Sequence, residues 1–341
     1  MQTAKLKIFN STIALRITAL WAFSEAFLGG LLHGLKIPFA GLVLALIASI
    51  CITIIASGTE KKGEIIKATL LVIALKFILS PHTPPMAYVA VFVQGFVGEL
   101  LFLSKKFIKL SAFILTLFSL LYSAFQHLIT LTIIFGKGFW SAMDIFLNKI
   151  TQSFLPGVHS YSLYLIIGYL SCYLLAGIFG GILNVRIVSQ VNRNEKPEVI
   201  FLALSNLQSQ DVFLNNKRRT KSRNILFIVC GLLLLLLIFS YLPFFNNSFS
   251  KNHIAEIFLR GIIIILVWNY FLTPLLKRWI SRWVDKYKTK NAGALQQVIA
   301  LLPDVKTILN TSWRLSRHPR KTIQVKNFIT NSVLLILHHE K

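Results

Sequence analysis

Seven ionisable side chains stand inside long apolar runs: Glu25, His33, Lys76, Glu99, His127, Glu256 and Arg260. A charge placed in hydrocarbon is costly, so such a residue is kept where it binds, relays or pairs. Lys76 is the most exacting case, since it is embedded in LLVIALKFILS. Glu256 and Arg260 are four apart, the spacing of a local ion pair on one helix face. The others have no such partner nearby in the chain. Three histidines or cations fall toward one end of their runs. His33, Lys36, Lys76, His82 and His127, with Gln94 and Gln126, are therefore expected to line a cation-rich pocket near the outer surface, suited to a small, anionic molecule. The alternative for each is that it snorkels or pairs with a neighbouring helix.

The elements that must position these residues follow from hydropathy. Hydrophobic residues make up 55% of the chain and charged residues 14%, against roughly 45–50% and about 25% in soluble domains. Eight runs are long enough for a bilayer: 12–34, 39–57, 64–81, 86–104, 110–135, 161–185, 224–243 and 254–276. With the N-terminus inside, 29 of the 36 Lys and Arg fall in inner segments, four in outer segments and three within spans. That asymmetry is the positive-inside pattern. It predicts an all-α polytopic bundle of about eight transmembrane helices in the cell (inner) membrane, both termini cytoplasmic. It also explains the net charge of +24 as a basic face toward anionic lipid or a cytoplasmic partner, not toward nucleic acid.

Four regions are expected: a six-span domain over 1–190, a basic cytoplasmic linker with a short helix over 191–223, a two-span hairpin over 224–277, and a basic amphipathic tail over 278–341. The outer segment 137–160 carries Trp140, Met143, Phe146, Leu147, Ile150 and Phe154 at helical spacing, and is expected along the outer interface. The tail carries two apolar stripes, from Leu295 to Trp313 and from Ile323 to Ile336, separated by His318-Pro319. Pro303 is expected to kink or divide the first. With no further soluble domain to cover them, these stripes are expected on the membrane, on the chain's own loops, or on a partner such as an ATPase.

Small residues recur at close-packing spacing: Ala22 and Ala26 in the first run, Gly95 and Gly98 in the fourth, and Gly177, Gly180 and Gly181 in the sixth. Catalytic signatures are missing. The chain has no GxxxxGK[ST], HExxH, GxSxG or CxxC, and its three cysteines sit apart in apolar runs. No catalytic residue, metal site or cofactor is assigned. The reading that competes with transport is an intramembrane hydrolase or metalloenzyme using Glu25, Glu99, His33 and His127; a structural or assembly role is a third.

The six-span unit, its Ala22-x-x-x-Ala26 element and the segment RITALWAFSEAFLGGLLHGLKIPFAGL resemble the substrate-binding S component of energy-coupling factor transporters. In that family the small-residue element packs on a transmembrane T component, and substrate sits near the outer face under a loop. The C-terminal half resembles a shortened T component, whose paired amphipathic helices dock on separate ATPases. Arg317, in LSRHP, echoes the arginine those helices insert, with Arg314 beside it, although the family's Ala-Arg-Gly sequence is absent. The resemblance implies a small-molecule substrate, vitamin-like or anionic, together with a cytoplasmic ATPase and a T-type membrane partner.

Overall fold

Long apolar stretches without interior proline can satisfy their backbone only as helices when water is excluded. The computed structural model describes residues 11–34, 39–59, 61–80, 83–151, 160–192, 262–263, 266–317 and 321–338. All regular structure among them is helical. In chain order the helices are α1 (Ser11–Phe23), a π-helical turn (Ser24–Leu28), α2 (Gly29–Gly34), α3 (Ala40–Gly58), α4 (Glu64–Leu79), α5 (Pro85–Leu101), α6 (Ile108–Phe135), α7 (Lys137–Thr151) and α8 (Tyr161–Asn192). A second π-helical turn (Trp268–Leu272) then leads into α9 (Thr273–Lys290), α10 (Ala292–Leu315) and α11 (Lys321–His338).

Among the described residues, four helical stretches are long and apolar enough to cross a bilayer: Ala14–Leu32, Ala40–Gly58, Lys105–Ile133 and Tyr161–Val191. They match the first, second, fifth and sixth expected spans. The third and fourth expected spans are α4 and α5, of 16 and 17 residues. At 1.5 Å per residue these reach about 24–26 Å, a turn short of a 30 Å hydrocarbon core. The expected span at 224–243 and residues 254–261 of the span at 254–276 lie outside the described residues, as do the linker helix, Glu256 and Arg260.

The chain divides into two units, 1–124 with 171–210 and 276–341, and 125–170 with 211–275. In the first unit α1 is central. It packs on α3, α4, α10 and α11, while α4 pairs with α5 and α10 with α11. Ile17 and Trp21 of α1, Ile52 and Ile54 of α3, and Val72 and Leu75 of α4 are fully buried in a core that also contains Val298, Val305 and Leu335 of the tail. Glycines set the closest approaches. A Cβ on Gly95 would run into the Thr69 side chain, and one on Gly98 would stand 2.6 Å from Ile52 Cγ2. Gly177 and Gly181 similarly meet Leu117 and Phe113 of α6. These motifs serve helix packing within the chain.

The tail finds its cover inside the protein. Leu295, Val298, Val305 and Ile308 of the first stripe are buried, as are Val333 and Ile336 of the second. Arg16 of α1 borders a water-sized cavity with Leu301, Asp304, Val305, Ile308 and Ile336. These positions are answered by α1 and by each other, while Ile299, Trp313 and Val325 of the stripes remain exposed. Pro303 does not divide the first of them: α10 runs through it as one helix. Helices α10 and α11 are joined by Asn331 Nδ2, which donates to Ser316 Oγ at 3.0 Å, and by an edge-on contact of Trp313 with Phe328.

In the second unit α7 is tied down near its start and at its middle. Trp140 Nε1 donates to Thr132 Oγ1 at 3.1 Å. Asp144 accepts from the Ser162 backbone N–H at 2.5 Å and from its hydroxyl at 2.9 Å. A carboxylate is thereby set against the positive N-terminus of α8. Phe146 and Ile150 remain exposed.

Candidate functional site

The best-formed polar site among the described residues is an ion pair inside the apolar core of the first unit. Lys76 Nζ of α4 donates to Glu25 Oε2 at 2.7 Å, and the two side chains are 3% and 5% exposed. Glu25 is held by the π-helical turn Ser24–Leu28. Such a turn inserts a residue into the helical repeat and re-aims the side chains around it, and it is frequent at functional positions. Ser24 Oγ donates back to Leu20 O at 2.9 Å, occupying a carbonyl at this irregularity. The Tyr88 ring of α5 lies 6.0 Å from Lys76 Nζ, at the outer limit of a cation–π contact. Tyr88 OH donates to Ser80 O at 3.4 Å, so the ring is anchored to the end of α4.

Burying two charges together costs less than burying either alone, and removing one partner leaves the other stranded. The pair therefore locks α1 to α4 while both partners are charged. Sequence reasoning singled out both residues without joining them, since 51 positions separate them.

Glu99, another expected intramembrane carboxylate, has a different task. Its oxygens accept from Gly63 N at 2.6 Å and Ile66 N at 3.3 Å, so α5 caps the start of α4. Gly63 has φ +83°, a left-handed conformation that costs glycine little. Glu25 and Glu99 are thus each engaged with separate groups, and no three His, Cys, Asp or Glu converge on a metal-sized site among the described residues.

The remaining expected pocket residues fall as follows. Gln94 is buried on α5, with no partner for its Oε1 among the described residues. His33 belongs to α2, but its side chain, like Lys36 and His82, lies outside the described residues. Gln126 and His127 belong to the second unit, where the exposed His127 ring lies 6.1 Å from that of Tyr169. Ala22 and Ala26 are buried, whereas Arg314 and Arg317 are exposed on and just after the last turn of α10.

One polar centre escaped the sequence reading. Asn184 of α8 is fully buried, and its Nδ2 donates to Thr53 Oγ1 of α3 and Thr116 Oγ1 of α6, both at 3.0 Å. Each threonine hydroxyl in turn donates to its own helix, to Ser49 O at 2.7 Å and Ala112 O at 2.8 Å. A neutral amide in an apolar helix carries no charge to flag it. The available signal was an asparagine four residues after Gly180, where two helices approach closely.

No protein-family model, no curated protein and no solved structure matches this chain.

Proposed function

We propose that this chain is a membrane component for uptake of a small molecule, of the energy-coupling kind and energised by a separate ATPase. The observation that carries the reading is the position of α1. One helix joins the buried Glu25–Lys76 pair, through α4, to the tail helices α10 and α11. A change at the tail has a continuous packed route to an intramembrane charge pair. A transport protein that couples cytoplasmic energy to a site in the membrane requires such a route. In this reading eight spans cross the cell membrane, both termini are cytoplasmic, and residues 137–160 lie outside. The substrate is vitamin-like or anionic, taken near the outer ends of the helices.

The hydrolase reading is less well supported, because Glu25 and Glu99 are each engaged elsewhere. The test is native mass spectrometry of the full-length protein purified in mild detergent. A stoichiometric small-molecule adduct together with a co-purifying ATPase subunit is the expected result. Bare protein carrying lipid adducts alone would overturn the proposal.

A further inference from the structure

Helix α9 presents one exposed face that carries both hydrophobic and basic residues. At 3.6 residues per turn, Leu275, Arg278, Trp279, Arg282 and Lys286 fall within an arc of about 100°. All five are exposed, Trp279 to 69% and Leu275 to 62%. The opposite face is spent on the protein: Ile280 and Val284 are buried, and Trp283 and Tyr287 stack at 5.1 Å. Along this face Leu275 comes first, Arg278 and Trp279 share the next turn, and Arg282 and Lys286 follow. Arg278, Arg282 and Lys286 stand one turn apart in a row about 12 Å long.

None of the three row cations has an ion pair among the described residues. Asp285, the acidic neighbour, lies 3.8 Å from Lys288 instead. A tryptophan beside a row of cations, on a helix that continues from an apolar segment, suits the boundary between hydrocarbon and headgroups. A water-facing helix gains nothing from an exposed tryptophan there, whereas three cations in register along one face complement a layer of lipid phosphates.

We infer that this face of α9 is a docking site for anionic phospholipid. Trp279 lies at the level of the acyl-headgroup boundary, and Arg278, Arg282 and Lys286 take the lipid phosphates. Arginine suits that task because its planar fork pairs with two phosphate oxygens at once. Because α9 leads directly into α10, bound lipid would fix the depth at which the tail helices begin.

The full-length protein in detergent, titrated with phosphatidylglycerol and separately with phosphatidylcholine, tests this by native mass spectrometry. The wild type is expected to prefer phosphatidylglycerol. The triple variant Arg278→Gln/Arg282→Gln/Lys286→Gln should lose about tenfold in that affinity. The variant Arg314→Gln/Arg317→Gln/Lys321→Gln, of equal charge change, should keep it. Equal losses in both variants would mean bulk charge alone and overturn the site, as would no preference in the wild type. If the α9 triple variant aggregates, Arg282→Gln alone decides: a loss of roughly threefold supports the site and an unchanged affinity refutes it.

Discussion

Lys76 and Glu25 meet at 2.7 Å in the buried core of the first unit, joining α4 to a π-helical turn that follows α1. Their spacing in the chain gives no hint of the contact; the fold of α1 against α4 creates it. Because both are almost fully buried, each depends on the other for its charge to be tolerated.

Single and double substitutions should therefore behave non-additively. Lys76→Met or Glu25→Gln alone should cost about 3–5 kcal/mol, since each leaves a charge stranded or an amide poorly matched. The double variant Glu25→Leu/Lys76→Met should recover most of that stability, because it removes both charges together. Thermal unfolding of the detergent-solubilised protein, followed by size exclusion, measures this. Additive losses in the double variant would mean that the two residues act separately. Recovered stability combined with lost uptake would show that the pair is kept for function and not for folding.

The Asn184 junction should be weaker. Thr53 and Thr116 each retain a carbonyl of their own helix when the amide is removed. Asn184→Ala should therefore cost about 1–2 kcal/mol, in the range of interhelical hydrogen bonds within membranes. Asn184→Leu should cost more, because the larger side chain must fit where α3, α6 and α8 converge. If Asn184→Leu were the more stable of the two, the site would be a packing void and not a polar junction.

Glycine positions give a sharper contrast. Gly95→Ala drives a methyl into Thr69, whose hydroxyl is already committed to Ile65 O at 2.7 Å, and it should cost about 1–3 kcal/mol. Gly168→Ala on α8 meets nothing within 4 Å, so it should be neutral or gain up to about 1 kcal/mol from helix propensity. Melting temperatures of the two variants should move in opposite directions. A stable Gly95→Ala variant would show that α4 and α5 do not pack at this distance.

The contrast between these sites shows what the sequence carried. Helices α1, α3, α6 and α8 were legible because hydropathy alone encodes a long apolar segment, and the tail helices because their apolar residues repeat at helical spacing. Lys76 and Glu25 were legible as residues, since a charge in an apolar run stands out. Their pairing was not, because it depends on which helices touch. Asn184 was missed for lack of charge. The cover over the tail stripes was missed for a related reason: the face of α1 that receives them reads as lipid-facing when α1 is considered alone, yet Ile17 and Trp21 are fully buried.

That cover changes how a cytoplasmic partner must be sought. Deleting residues 291–341 would strip α10 and α11 from α1 and uncover core residues such as Ile17. Loss of an ATPase from such a truncation would be ambiguous, since the membrane domain itself should lose stability. Arg314 and Arg317 avoid the difficulty: both are exposed and neither has an ion pair among the described residues. Arg314→Glu/Arg317→Glu should leave the melting temperature of the isolated protein nearly unchanged, as surface substitutions usually do. On the proposed reading it should nonetheless abolish co-purification of an ATPase, because two reversed charges at a docking edge oppose association in both contact and approach. Affinity isolation of the full-length wild type and this variant from the same membranes makes the comparison. An ATPase retained equally by both would place any docking away from the end of α10.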